Sequence, residues 1–360
     1  PASADPSTLM TDAGVIATLT GAITQSSAGG VDPLQPLVIS GLGTIRLTNT
    51  GNNWLGTTTV DAGAKLQGAS DTISGSAIIT NGTLAYVQPY SGTVLQAISG
   101  TGETTVSGLS AGNILTFAGA LTNAGVTVLD GSRIAFTATN AITRSVDLMG
   151  ASAIVDVADG AAINSSGTYG IFANQPGQTI NNLGAISGAS IGIALGDSSF
   201  ITNGSATDGN AAITGGNHGI VTTGLANVAN YGLIRGNNGI GISGGSVTAS
   251  NFTGGQIIGS IYGIAGTALD ITNAGQIVGA TYGVFASAVS TITNSGTIAS
   301  GTVSGAAIKF AGFDAIYLAS GGTVTNQAGG ALTGQRIGVL TGGGSALTLD
   351  NAGIISGNSF

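Results

Sequence analysis

Residues Ile271–Ser300 read ITNAGQIVGATYGVFASAVST and then, without a break, ITNSGTIAS, so the phrase that opens at Ile271 opens again at Ile292. Asn273 and Asn294 are equivalent and stand 294 − 273 = 21 residues apart. A period of this size means supersecondary units stacked on one another, none able to bury its apolar face alone. Within the phrase, apolar residues alternate with small polar ones, which is the period of a strand and not of a helix.

The phrase recurs with its asparagine at Asn182, Asn203, Asn230, Asn251, Asn273, Asn294, Asn326 and Asn351, in steps of 21, 27, 21, 22, 21, 32 and 25. The longer steps read as insertions into a common unit, at Gly204–Ala211 and Gly301–Gly312. Three short strands joined by bends make one turn of a parallel β-helix, each turn pairing with the next at about 4.8 Å. The expectation is an all-β fold, a parallel β-helix solenoid of about 16–17 coils, from 360 residues at one coil per step. Stacked asparagines are expected to hydrogen-bond as a ladder along the eight positions above. The pairs Gly188/Gly192, Gly215/Gly219, Gly259/Gly263, Gly279/Gly283 and Gly334/Gly338 mark a second bend, glycine being a residue at which a positive φ is tolerated.

Of 360 residues, 64 are Gly and 42% are hydrophobic, but only 6% are charged, against about 25% in ordinary globular domains. Disordered chains are rich in charge and poor in β-branched residues, and this chain is the reverse. Net charge is −8, and the seven cations, Arg46, Lys65, Arg133, Arg144, Arg235, Lys309 and Arg336, are scattered. A surface that tracks phosphates needs clustered cations, so nucleic acid is not an expected partner. No apolar run reaches the roughly 18 residues of a membrane-spanning helix. The absence of Cys, with much Gly, Thr, Asn and Ser and little Lys or Glu, points to an exported chain. The opening PASADPS lacks a basic start and an apolar core, and reads as a chain whose leader has been removed.

Residues 1–36 hold four of the six prolines and read as an N-terminal cap over the open edge of the first coil. Residues 37–162 continue the alternation with irregular spacing, and residues 163–360 carry the regular 21–22-residue coils. A solenoid grows by adding coils, so the segments are expected to form one continuous solenoid.

Residues with chemical potential are few. His218, the one histidine, stands in a column occupied elsewhere by Tyr169, Ile191, Asn238, Tyr262, Tyr282 and Ile337. A column that accepts Ile and Asn is structural, and no partner is spaced to make His218 a general base. Tyr169, Tyr262 and Tyr282, with His218 between them, are nonetheless the candidate ligand or partner column; the other reading is rings that stack on one another over a bend. Gly196-Asp197-Ser198-Ser199 is similar to the surroundings of some serine nucleophiles but has Ser199 where Gly is required, and reads as a turn. Asp156 and Asp159 would fall on opposite faces of a strand, which argues against paired carboxylates. Gly239–Gly244 fits a dinucleotide-binding pattern only in its letters, since no helix follows. The reading is therefore non-catalytic, with no cofactor and no metal. The alternatives are a glycan lyase or hydrolase or a serine protease on the same scaffold, and a structural protein forming a surface layer or filament.

One phrase is more specific. Gly43–Gln67, GTIRLTNTGNNWLGTTTVDAGAKLQ, resembles the autotransporter-associated β-helix repeat. Thr50, Gly51, Asn53, Trp54, Gly56, Thr58, Thr59, Val60, Ala62, Gly63 and Leu66 match its pattern, while Asp61 stands where the family usually has Asn. The later coils are similar, more diffusely, to passenger domains of bacterial autotransporters and related haemagglutinin-like adhesins. The resemblance implies a right-handed parallel β-helix exported through the outer membrane to the bacterial cell surface, with an outer-membrane β-barrel beyond residue 360. It further implies an elongated adhesin-type stalk whose partner is a host or substratum surface, a glycan or another copy of itself.

Overall fold

The computed structural model describes residues 6–24, 35–304, 307–309 and 313–357. Among these there is no helix, and parallel strands stack as a β-solenoid of about 14 turns. The chain divides into two units, Pro1–Ser166 and Gly167–Phe360. The turns are fewer than the 16–17 expected because many are longer than the shortest repeat, with excursions at their corners.

Most turns of the second unit have three short strands, as in Tyr282–Ala286, Ser290–Asn294 and Thr297–Ser300, while in Ile240–Asn251 and Tyr262–Asn273 the first two run on as one strand of 12 residues. They lie on three faces, and each strand pairs in parallel with its equivalent one turn away. Alternation sends every second residue inward. The first face stacks Ile171, Ile193, Ile220, Ile242, Ile264, Val284, Ile316 and Val339 in one inward file. The second stacks Ile180, Ile201, Val228, Ala249, Ile271, Ile292, Val324 and Leu349, and the third runs from Ile186 to Ile355. Ile180, Ile213 and Ile264, one from each face, are fully buried, so the files form the core. The excursions leave the files in register: Ser205 bridges Asp208 in the loop after Asn203, and Thr302–Ser304 pairs antiparallel with Ala307–Lys309 after Ser300.

The glycine pairs flank the corner between the third and first faces, and the corner does not use glycine's tolerance of a positive φ. None of the ten has a positive φ. The corner is simply too tight for a side chain. A Cβ on Gly259 would lie 1.8 Å from the Tyr262 carbonyl oxygen, and one on Gly263 would lie 2.6 Å from the Gly283 carbonyl oxygen and 2.7 Å from Ile277 Cγ2. Between Gly259 and Tyr262, as between Gly279 and Tyr282, only two residues make the turn. The exception carries its own explanation: Ser300 stands opposite Gly279, and Ala315 occupies the place of Gly283. There the corner holds the 13 residues from Gly301 to Phe313, and a Cβ has room on either side of it.

The first unit reaches the same stacking with less regular spacing. Ser7–Thr11 and Ile16–Leu19, inside the segment read as a cap, are strands paired in parallel with Leu37–Gly41 and Thr44–Leu47; residues 1–5 and 25–34 of that segment lie outside the described residues. The family-like phrase supplies three strands, Thr44–Leu47, Thr58–Val60 and Lys65–Gly68. Trp54 fills the corner before the second, its indole N–H donating to Thr58 Oγ1 at 2.8 Å. The core here is aromatic as well as aliphatic: Phe117 stacks on Phe136 with centroids 5.6 Å apart and meets Tyr86 edge-on at 6.0 Å. Burial pushes the Tyr86 hydroxyl far above the ordinary phenol range, and that hydroxyl has no hydrogen-bond partner among the described residues. Tyr86→Phe is therefore expected to raise stability by about 1 kcal/mol in denaturant unfolding, because an unpaired buried polar group is removed while the ring contacts stay.

Candidate functional site

The eight repeat asparagines end the second-face strand of each turn with their side chains inward. Each side-chain amide donates to the carboxamide oxygen of the next: Asn182 to Asn203, Asn203 to Asn230 and Asn230 to Asn251 at 2.8 Å, and Asn251 to Asn273 and Asn273 to Asn294 at 2.7 Å. Asn294 reaches Asn326 at 2.9 Å and Asn326 reaches Asn351 at 2.7 Å. The same Nδ2 groups also meet corner carbonyls, Gly232 and Gln256 in the case of Asn230. From Asn182 to Asn326 the column is buried, whereas Asn351 is exposed. Its amides satisfy carbonyls that the sheet ladders leave open at this corner. The column is thus built to hold turns together, and its burial keeps it from a ligand.

The tyrosine and histidine positions share one register column, but Ile191 and Ile240 stand between them and their rings do not make one continuous stack. Tyr169 faces Ile191, which faces His218. The residue opposite Tyr262 on the other side is Ile240 and not Asn238, because the corner after Gly236 holds one residue more than its neighbours. Tyr169 packs instead on Phe172, at 4.9 Å. Tyr262 and Tyr282 do stack, with centroids 5.6 Å apart and planes 14° apart, and they continue into a cluster with Phe285, Tyr317 and Phe313. Asp314 stands opposite Tyr282. It is fully buried and receives Arg336 through two hydrogen bonds of 3.0 and 2.7 Å, while the guanidinium carbon lies 5.3 Å from the Phe313 centroid. Rings stacked along the solenoid spend their faces on one another and offer edges to the outside.

His218 is half-buried, its Nδ1 has no hydrogen-bond partner among the described residues, and burial holds its pKa below the ordinary 6.5. Folding therefore favours the neutral imidazole. The chain is expected to lose stability as pH falls from about 6.5 through the lower folded value, since the unfolded state then binds the extra proton. His218→Ile, matching Ile191 and Ile240 on either side, should flatten that slope in melts recorded from neutral to mildly acidic pH. A slope unchanged in the variant would assign the pH response elsewhere.

The remaining candidates are placed as follows. Asp156 lies outward on Ile154–Val157 and pairs with Arg133 at 2.6 Å, and Asp159 is exposed in the turn beyond. Ser198 adopts φ 57° in a corner where the Ser199 hydroxyl donates to the Gly196 carbonyl at 3.1 Å. Asp197 beside it accepts the Leu225 N–H, and this bond with that from Ser198 keeps its carboxyl below the usual range. Among the described residues no three His, Asp or Glu side chains lie together as a metal site.

A surface that the sequence pattern left undivided emerges on the second face. Over eight turns, two outward positions each, it carries no Lys or Arg. Thr291, Thr323 and Thr348 form one file, and Ser250, Thr272, Thr293 and Thr325 form another. Hydroxyls therefore repeat at about 4.8 Å along the file and about 6.6 Å across it, two residues of a strand. Alternation alone predicts outward polar residues but does not say which turns align them.

Stacked parallel strands, inward aliphatic files and an amide column define a parallel β-helix repeat protein. No protein-family model, no curated protein and no solved structure matches the chain.

Proposed function

We propose that this chain is the passenger of a bacterial cell-surface autotransporter, a non-catalytic adhesin that works by pairing with another copy of itself. The observation that carries the reading is the second face, a charge-poor array of Thr, Ser and Asn with a fixed repeat. Two such arrays meet in register, and each weak hydroxyl contact is multiplied along the face. Few charges need to be desolvated when they meet: Asp270 and Asp350 are the acids on the face. The resemblance of Thr50–Leu66 to the autotransporter-associated repeat is what favours the export route and the surface location.

Sedimentation velocity over a range of concentrations tests it. The expected result is an average mass that grows with concentration. The double substitution Thr293→Lys and Thr325→Lys, which sets two cations against two cations in the paired state, should hold the chain as a monomer. A wild-type chain that stays monomeric throughout, or a double variant that associates equally well, sinks the reading.

A further inference from the structure

The first unit contains a site with a different chemistry. A concavity of about 390 Å³ lies over Thr44–Leu47 and Lys65–Gly68, with Arg46, Thr48, Gln67, Pro89 and Tyr90 in its wall. Tyr90 is the only one of the seven tyrosines with no aromatic ring against it among the described residues. Its ring is nevertheless fixed at both ends. The phenol hydroxyl donates to the Asp71 carboxylate, 2.9 and 3.0 Å from its two oxygens. The backbone carbonyl accepts Gln88 Nε2 at 2.7 Å, and Gln88, itself buried, also accepts the Ser70 N–H at 2.7 Å.

Arg46 completes the site. Its Nε donates to Gln67 Oε1 at 3.2 Å, which orients the guanidinium. Arg133, Arg144 and Arg336 each face an aspartate; Arg46 has no ion-pair partner among the described residues. Lys65, on the neighbouring strand and diagonal to Arg46, adds positive charge on the same face. A half-buried, oriented and unneutralised guanidinium is suited to a carboxylate, which it binds through two parallel N–H bonds. A free, immobilised aromatic face is suited to the C–H face of a sugar ring. Thr48 and Gln67 are polar groups that sugar hydroxyls use. No acid lines the concavity among the described residues, and Asp71 is engaged at the hydroxyl end of Tyr90.

We propose that this concavity binds an acidic sugar, its carboxylate on Arg46 and its pyranose ring against Tyr90. The site is independent of the second-face array and goes beyond the self-pairing reading.

Isothermal titration of the whole chain with a galacturonic-acid oligosaccharide, beside the neutral galactose oligosaccharide of equal length, tests this. Saturable binding is expected for the acidic sugar, with the neutral one weaker by about tenfold or more, the worth of a charge-assisted hydrogen-bond pair. Arg46→Gln should cost about ten- to a hundredfold in affinity, Tyr90→Ala a comparable loss, and Arg336→Gln nothing. Far-ultraviolet circular dichroism and melting establish that each variant is folded. Arg46→Gln, outward on its strand, decides the matter should Tyr90→Ala fail to fold. Absence of saturable binding to the wild type, equal binding of the neutral sugar, or unchanged affinity in Arg46→Gln overturns the proposal.

Discussion

Gly259→Ala is expected to lower the unfolding free energy by about 3 kcal/mol or more, a loss larger than most single methyl additions cause. The methyl carbon would sit 1.8 Å from the Tyr262 carbonyl oxygen and 2.8 Å from that of Gly239. Both obstacles are backbone, so no rotamer change relieves them. The corner must open, and opening it displaces strands that pair with the turns on either side. Gly343→Ala is the control, since a Cβ there meets nothing within 4 Å and φ is ordinary. Urea unfolding followed by circular dichroism separates the two. If Gly259→Ala melts with Gly343→Ala, the steric account of the corner is wrong.

The amide column provides the second large effect. Asn273→Ala should cost about 2–4 kcal/mol. It removes the acceptor of Asn251 Nδ2 and the donor to Asn294 Oδ1, and leaves the Gly275 and Thr297 carbonyls without that amide, all where solvent does not reach. Asn273→Asp should cost at least as much, because a carboxylate there is buried and faces the oxygen of Asn294. Asn351→Ala, at an exposed position, should cost under about 1 kcal/mol. Hydrogen exchange of the neighbouring strand amides reports the losses locally, which matters because a stack of turns need not unfold as one unit. Equal losses at Asn273 and Asn351 would detach the effect from burial.

Much of the second unit is legible in the sequence. The 21-residue step places Asn273 over Asn294, and the alternation around them sets Ile271 and Ile292 inward. Other features depend on what lies one turn away. The pattern Gly-Ile-Gly-Ile at Gly239–Ile242 invites alignment on its first glycine, which puts Asn238 in the tyrosine column. The strand pairing aligns on Ile240, because hydrogen bonding tolerates an extra corner residue that a fixed spacing does not. The glycine pairs are visible in the sequence as a bend, but the need for glycine there is not: tolerance of a positive φ is a property of one residue, whereas the clash at Gly259 is with a carbonyl three residues on. The Arg46 site was least legible. Arg46, Gln67 and Tyr90 belong to three different turns of the irregular first unit, where no period says which residues become neighbours.

The amide column has a direction. Every side-chain link from Asn182 to Asn326 donates toward the higher-numbered turn, and the Asn182 oxygen at the other extreme is buried without a donor among the described residues. Eight carboxamide dipoles, joined by seven hydrogen bonds, reinforce one another as chained hydrogen bonds do. The second unit therefore has an electrical polarity, oxygen-negative toward Asn182 and hydrogen-positive toward Asn351. Two such units approached head to head would oppose like poles, and approached head to tail would align them.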